Sequence, residues 1–297
     1  MRLQKRRSDK FACWAFLAPT LIFLAVTALF PLLYSVYLSF FRLKLNLPNQ
    51  TPVFVGLENY AKMFTDKMLH VSTWNTILFA FISVALEVVL GLMVAMVICS
   101  DSMRSRIATS IFMIPMIMAP VAIGTLWRMM MDASTGVLNY FLSFLGVDPV
   151  QWLAGPTMAK ISVLLVNVWQ LTPWVTVICS AGLKALPQDC IQAALVDGAT
   201  PRQIFWKIVL PLIKPVLVIV VMMRFTDAFK VFDTVYTMTN GGPGTATEML
   251  PNFIYKQGLK YYDAGYAAAL AVVFVLVMAF ITLFFLRLRK KEEDNVW

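Results

Sequence analysis

The stretch QAALVDGATPRQIFWKIVLP, from Gln192 to Pro211, separates two long apolar runs of the chain. The segment Cys190–Val196, which overlaps the start of this stretch, is rich in Ala and Leu and predicts a short helix. Asp197-Gly198 ends that helix, because glycine adopts backbone angles that other residues avoid. Thr200 followed by Pro201 is typical of the start of a second helix. Two helices at a glycine bend indicate either a docking element or a structured linker.

The second helix of this stretch is predicted to be short. Ile204, Phe205, Ile208 and Val209 recur at helical spacing. The pairs Leu210-Pro211 and Lys214-Pro215 are predicted to close it, because proline removes a backbone donor and clashes with the preceding turn. The whole hydrophilic segment is predicted to cover residues 184–215.

Composition indicates a polytopic membrane protein. The chain has 297 residues, of which 60% are hydrophobic and 14% are charged, and its mean hydropathy is +0.74. Soluble domains average about 45–50% apolar and about 25% charged residues. An apolar run of about 20 residues is long enough to cross a bilayer as a helix. Six spans are predicted, at approximately residues 12–41, 74–100, 107–127, 161–183, 216–238 and 264–286.

The distribution of Lys and Arg predicts the orientation. These residues are denser in four segments than in the remaining loops, namely residues 1–10, 101–106, 184–215 and 287–297. Cytoplasmic segments carry such an excess. The predicted fold is therefore an all-α, single transmembrane domain over residues 1–297 with both termini in the cytoplasm. The segment 184–215, between the fourth and fifth spans, is predicted to be cytoplasmic as well.

The sequence lacks the signatures of several enzyme classes. Its four cysteines have no CxxC spacing and it has one histidine, His70, which argues against a zinc site or a disulfide framework. No GxxxxGK[ST] string occurs, so the chain is not predicted to hydrolyse ATP. The pI near 9.4 follows from the cytoplasmic excess of basic residues and does not indicate a nucleic-acid partner.

Charged residues occur inside two predicted spans. Glu87 lies near the middle of the second span, where it is either a functional residue or a carboxyl group hydrogen-bonded to a neighbouring helix. Arg224, Asp227, Lys230 and Asp233 recur at steps of three in the fifth span, so adjacent members can form ion pairs. At 3.6 residues per turn, the four side chains spread over half of the helix circumference, so part of this helix must face protein or water. This helix either lines a polar path or is a structural, ion-paired helix.

The stretch around Gly198 resembles the cytoplasmic loop of the membrane subunits of bacterial ABC importers, which docks into a cleft of the ATPase subunit. It matches the Ala-Ala, Asp-Gly-Ala and Leu-Pro elements of that pattern, and it departs at the first position, where Gln192 replaces the usual Glu. The Gln amide can form a hydrogen bond but no salt bridge. The resemblance implies that the ATPase-coupling residues are Gln192, Ala193, Ala194, Asp197, Gly198, Ala199, Phe205, Leu210 and Pro211.

Three further segments resemble the carbohydrate-uptake branch of this family, the maltose and glycerol-3-phosphate type: Phe54–Tyr60, Arg224–Thr247 and Tyr262–Leu270. The resemblance implies a permease for a sugar or a sugar-like solute. Hydroxyl-rich solutes need polar groups and aromatic faces. The candidate residues for the substrate path are Trp169, Gln170, Arg224, Asp227, Lys230, Asp233 and Tyr236.

The resemblance also implies a heteromeric complex in the cell inner membrane. The expected partners are a second homologous permease, two ATPase subunits that bind ATP and Mg, an extracytoplasmic solute-binding protein and lipid. The chain itself is expected to have no catalytic residue and to bind no cofactor, metal or nucleic acid. An ion-coupled secondary transporter or channel is the competing hypothesis, although six spans without an evident internal repeat argue against it. An integral membrane enzyme is a third, disfavoured by the missing motifs.

Overall fold

The computed structural model describes Trp14 and residues 16–46, 51–99 and 103–294. Outside the described residues lie the basic N-terminal stretch, the predicted start of the first span with Cys13, the predicted end of the second span at Ser100, and both chain termini. The described part is mostly helical. Its described residues form two compact units, one within residues 1–66 and 254–277 and one within residues 67–253 and 278–297.

The secondary structure of the described residues consists of thirteen numbered helices and one short antiparallel strand pair, together with a π-helical turn at Lys256–Lys260. In chain order these are α1 (Phe16–Ser39), β1 (Phe41–Arg42), β2 (Val53–Phe54), α2 (Glu58–Met63), α3 (Lys67–Ile98), α4 (Met103–Phe112), α5 (Ile114–Ile117), α6 (Pro120–Met130), α7 (Val137–Ser143), α8 (Pro156–Lys184), α9 (Gln188–Val196), α10 (Pro201–Phe229), α11 (Asp233–Met238), α12 (Leu250–Tyr255) and α13 (Ala264–Asp294).

Five of these helices are long and apolar enough to cross a membrane. They are α1, α3, α8, α10 and the Ala264–Arg289 part of α13. A sixth candidate is the pair Ser105–Ile117 and Pro120–Met130, whose two arms meet at 93°. The described residues therefore contain five candidate spans, or six if the bent pair is counted as one.

The bend in the third predicted span follows from its prolines. The sequence placed this span at 107–127, whereas the helix stops at Ile117 and restarts at Pro120. Ala119 is extended, with φ −61° and ψ 132°, because the ring of a following proline disfavours the helical region for the residue before it. Proline is well suited to the first position of the new helix, where no backbone donor is needed.

The fifth predicted span differs from the observed helix at both ends. The sequence placed the span at 216–238 and closed the preceding helix at Pro211, but α10 runs without a break from Pro201 to Phe229. A wide π-helical turn at Phe205–Val209 comes just before Pro211, and such a turn relieves the clash of a proline ring with the preceding turn. The chain then leaves the helix at Lys230, and a separate short helix, α11, begins at Asp233.

The first unit is held together by contacts between the strand pair, α2 and the first turns of α13. Asn59 donates to the Ser39 and Phe41 carbonyls, at 2.8 and 3.0 Å. The Tyr266 hydroxyl donates to Asp66 at 2.8 Å. A Cβ on Gly265 would collide with the backbone of Phe41, so glycine permits this close approach.

The second unit is built on the packing of α3 and α8, against which α10 lies. One apolar cluster lies between these helices and is formed by Leu92, Ala95, Val175, Cys179, Leu183, Ile213 and Val220. Gly91 lies against Val175, and a Cβ there would be 2.6 Å from the valine side chain. Small residues of this kind allow membrane helices to approach closely, so α3 and α8 form a tight base for α10.

The loop that follows α11 is tied to α3. Asn75 donates to the Thr245 and Glu248 carbonyls at 3.0 and 3.2 Å, and the Thr76 hydroxyl accepts from the Leu250 amide at 2.8 Å. This loop contains the TNGGPGTAT sequence at 239–247. These bonds give the segment a defined position and so hold the end of α11.

The contact between α6 and α11 depends on a glycine. A Cβ on Gly124 would overlap the Thr237 hydroxyl and lie 3.0 Å from its Cβ. Gly124→Val is therefore expected to destabilise the protein by about 1–3 kcal/mol through overpacking. The second change in Gly124→Val/Thr237→Ala removes the obstructing hydroxyl and should restore a large part of the loss. Thermal unfolding in detergent measures both; equal losses in the single and double variants would contradict the contact.

Candidate functional site

The segment around Gly198 is a bend with both helix ends capped. At the end of α9, the amides of Gly198 and Ala199 donate to the carbonyls of Leu195 and Ala194, at 3.1 and 2.9 Å. This is the Schellman pattern, which needs a left-handed residue after the helix, and Gly198 has φ +77°. The predicted end of the helix at this glycine is confirmed.

The second helix of the segment starts as predicted. Thr200 is the N-cap and Pro201 the first helical residue. The Gln203 side chain accepts from the Thr200 amide at 2.8 Å, and the Gln203 amide donates to the Thr200 hydroxyl at 3.4 Å. This reciprocal capping box satisfies two amides that would otherwise lack partners. The residues next to the bend therefore determine where the first helix ends and where the second begins.

The outer face of this bend exposes apolar side chains next to a shallow cleft. Leu195, Val196 and Trp206 are 55%, 87% and 58% exposed. The cleft has a volume of about 270 Å³ and is lined by residues on both sides of the bend, from Asp197 to Ile208. Exposed apolar patches rimmed by polar residues are typical of interaction sites.

The predicted coupling residues divide into two groups by exposure. Gln192, Ala193, Asp197, Gly198 and Pro211 are exposed, whereas Ala194, Ala199, Phe205 and Leu210 are half-buried. Phe205 and Leu210 pack on the apolar cluster between α3, α8 and α10. These two residues therefore fix the segment to the membrane helices, and the exposed ones form its outer surface.

A buried polar network joins three membrane helices. Arg224 of α10 donates from Nε to Oε2 of Glu87 on α3 at 2.8 Å. Asn167 of α8 donates from Nδ2 to Oε1 of the same carboxylate at 2.9 Å. The side chains of Glu87 and Arg224 are 0% and 4% exposed. Of the two readings of Glu87, the structure shows the carboxyl group hydrogen-bonded to neighbouring helices.

The network continues from the buried pair to an accessible surface. Arg224 also donates to Asp227 at 3.4 Å, and Lys230 contacts the other oxygen of Asp227 at 3.2 Å. The side chains of Asp227 and Lys230 are about half exposed, at 51% and 52%. The predicted ion pairs between neighbours at steps of three are therefore present for these residues. Asp227 links the buried charges to the exposed end of α10.

The prediction that the four charged residues share one helix is wrong. Lys230 is the C-cap of α10, and Asp233 is the first residue of α11. The chain changes direction between them because Phe232 has a non-helical backbone, with φ −135° and ψ −59°. The spread of charge over half of a helix, inferred from the spacing, therefore holds only as far as Lys230.

The remaining path candidates fall in different environments. Trp169 is 41% exposed and its ring meets that of Trp127 edge-on at 5.3 Å, while the next residue, Gln170, is buried. Tyr236 is 37% exposed and stacks on Phe232 at 5.2 Å. Trp169, Asp227, Lys230, Asp233 and Tyr236 thus have accessible side chains, and Gln170 and Arg224 do not.

Sequence reasoning missed one member of the network and one neighbour. Asn167 was not singled out, although an amide in a long apolar run is a recognisable signal. Trp174, whose ring centroid lies 6.0 Å from the Arg224 guanidinium carbon, gave no signal. Across residues 16–46, 51–99 and 103–294, no group of three or more His, Cys, Asp and Glu side chains is arranged to hold a metal ion.

Comparison with known sequences places the chain in a family. Residues 87–292 match the family described as binding-protein-dependent transport system inner membrane component. The trehalose/maltose transport system permease protein MalF of Thermococcus litoralis is 36% identical over 281 residues, covering 93% of this chain and 92% of that protein. The sulfoquinovosyl glycerol transport system permease protein SmoG of Agrobacterium fabrum is 33% identical over 288 residues, covering 96% and 92%.

Solved structures share the fold. A chain of a bacterial ABC transporter involved in the import of the acidic polysaccharide alginate aligns with a TM-score of 0.83 at 22% identity, covering 98% of this chain and 99% of that one. A chain of the methionine ABC transporter MetNI, in inward-facing conformations, aligns with a TM-score of 0.56 at 19% identity, covering 78% and 98%. At these identities the likeness establishes the fold alone.

The family match covers most of the sequence, and the two relatives align over nearly all of it. The apolar helices and the fold of transporter permeases agree with that assignment. This chain belongs to the binding-protein-dependent transport system inner membrane components and is a membrane-embedded permease subunit of an ABC importer, not an enzyme, with ATP hydrolysis carried by a separate subunit.

Proposed function

We propose that this permease imports a sugar or a sugar-like solute, and that the bend at Gly198 couples it to the ATPase. Support for the solute class comes from the relatives named for trehalose and maltose and for sulfoquinovosyl glycerol. In this proposal the permease has six spans, with both termini in the cytoplasm. It pairs with a second homologous permease, two ATPase subunits that bind ATP and Mg, and an extracytoplasmic solute-binding protein.

The single observation that carries the coupling proposal is the continuity of α10. Its first turn follows the capped bend at Gly198, and it reaches Arg224 and Asp227 without a break. Residues 201 and 224 of a helix are about 35 Å apart along its axis, because each residue rises about 1.5 Å. A displacement of the bend by an ATPase subunit would therefore move the polar network directly, since a helix transmits motion along its axis.

The candidate translocation path is the accessible part of this network. Asp227 and Lys230 offer a carboxylate and an ammonium group at the exposed end of α10, and Trp169 and Tyr236 supply exposed aromatic faces. Sugars are bound by this combination of polar and aromatic groups. Arg224 and Gln170 are buried. Their proposed role is therefore to keep the residues that line the path in position, and not to contact the solute in this conformation.

The assembly and its energy source are tested together. The tagged chain is purified in mild detergent, the co-purifying subunits are identified, and the complex is reconstituted with the binding protein encoded beside it. We expect a second permease and an ATPase, and uptake that requires ATP and persists after ion gradients are collapsed. A chain that purifies alone and transports without ATP would contradict the proposal and favour an ion-coupled transporter.

Asp227→Asn is expected to lower transport about tenfold with little loss of folded complex. The change removes the charge from a carboxylate that receives Arg224 and Lys230, and a hydrogen bond to a charged group contributes about 1.5–3 kcal/mol. Arg224 keeps its bond to Glu87, so the buried pair stays intact. Uptake into vesicles is compared with the yield of complex, and Asp148→Asn, an exposed aspartate in the loop after α7, is the matched control. A loss of folded protein that parallels the loss of uptake would instead indicate a structural role.

A further inference from the structure

A second cavity in the same unit is lined only by apolar side chains. It is a groove of about 560 Å³ between α3, α10 and the second half of α13. Its floor is Phe225, whose ring lies 5.0 Å from Phe81 and 5.6 Å from Phe285. Phe280 and Phe284 of α13 form its open edge and are 70% and 52% exposed. The groove lies outside the polar network, on the part of the helices that is apolar enough to be in the membrane.

A positive charge follows the groove-lining residues about one turn further along α13. Phe280 and Phe284 are four residues apart on α13, and Arg287 follows three residues after Phe284. Residues at this spacing lie on one face of a helix, so Arg287 continues the stripe of the two phenylalanines. It is exposed, and three more basic residues, Arg289, Lys290 and Lys291, follow it in the sequence. The charge therefore lies where α13 leaves the apolar region.

We propose that the groove binds one acyl chain of an anionic phospholipid whose phosphate pairs with Arg287. An apolar chain and a negatively charged headgroup match the two parts of this surface in the same order along α13. Basic residues just beyond the end of a membrane helix attract anionic lipids. Such a lipid would connect α13 to α3 and α10.

The shape of the groove favours a lipid chain over a helix of a partner subunit. Interfaces between membrane helices are rich in small residues that let backbones approach. Here Ala85 is the one small side chain among the lining residues, and the edges carry large projecting rings. A flexible chain can follow such an irregular wall, whereas a rigid helix would be held away from it.

The test uses the complete transporter complex, stripped of lipid in detergent and titrated with phosphatidylglycerol, with bound lipid counted by native mass spectrometry. Ala85→Trp fills the groove and should abolish the tightest bound phosphatidylglycerol. Leu86→Trp places the same side chain on the neighbouring exposed residue that does not line the groove, and should retain it. Equal binding in the two variants would overturn the proposal.

The charge is tested without altering the groove. Arg287→Gln should weaken phosphatidylglycerol binding about fivefold, in line with the contribution of one basic residue near a membrane surface, and Arg287→Lys should retain it. Arg106→Gln removes an exposed arginine from the start of α4 and should have no effect. Equal affinity for phosphatidylglycerol and phosphatidylcholine, or a photocrosslinker at position 85 that captures the second permease instead of lipid, would overturn the assignment.

Discussion

Gly198→Trp is expected to lower ATP-driven transport about a hundredfold while the membrane helices stay folded, since blocking the centre of an interface removes its main binding contacts. Apart from its chain neighbours, no described residue has an atom within 4 Å of the position that a Cβ on Gly198 would take. The added ring would therefore project outward from the bend, towards the proposed ATPase contact, instead of into the protein. Uptake into vesicles and the amount of co-purified ATPase measure the effect.

The backbone strain of this substitution has a matched control. A side chain at φ +77° costs about 1–2 kcal/mol wherever it occurs. Gly146, in the loop after α7, has φ +70° and equally open surroundings among the described residues, so Gly146→Trp introduces the same ring and similar strain far from the bend in sequence. Gly198→Ala adds the strain without the bulk. Normal transport in Gly198→Trp, or equal losses in Gly198→Trp and Gly146→Trp, would count against the docking role.

Arg224→Met is expected to lower the free energy of unfolding by about 3–5 kcal/mol, the cost of leaving a buried charge without its partner. The carboxylate of Glu87 is 0% exposed and would retain only Asn167. We expect a large loss of folded protein, measured as the monodisperse fraction in size-exclusion chromatography and as the unfolding temperature in detergent.

The double variant Glu87→Gln/Arg224→Met separates the charge from the packing. A Gln at position 87 still accepts from Asn167 and no buried charge remains, and replacing a buried ion pair by uncharged groups of similar size is often close to neutral. The double variant should therefore recover most of the stability lost in Arg224→Met. If it recovers stability but not transport, the ion pair has a role in the transport cycle. If Arg224→Met alone is as stable as the unmodified protein, the pair is not the structural tie that its geometry indicates.

In the polar network, the sequence predicted the contacts within one helix but not the contact between two helices. The spacing of Arg224, Asp227 and Lys230 predicted ion pairs within a helix, because residues three apart are neighbours on any helix. The partner of Glu87 could not be found in this way. Glu87 and Arg224 are 137 positions apart, and only the packing of α3 against α10 brings them together.

Near the start of α10, the local sequence predicted one feature correctly and another wrongly. The residue pattern around Gly198 identified the capped bend, because capping depends on a few adjacent residues. The prolines at 211 and 215 suggested a helix end, yet the helix continues through both, because a π-helical turn and contacts with neighbouring helices outweigh the local preference of proline.

The sequence alone determined the membrane class, the approximate positions of the apolar helices, the bend at Gly198 and the resemblance to importer permeases, since each depends on composition or on residues close together in the chain. The tertiary structure alone decided which charges are buried, that Asp233 leaves the helix of Arg224 and that an apolar groove lies beside α13. These features depend on distances between residues that are far apart in sequence, and a side chain's burial follows from the helices packed around it.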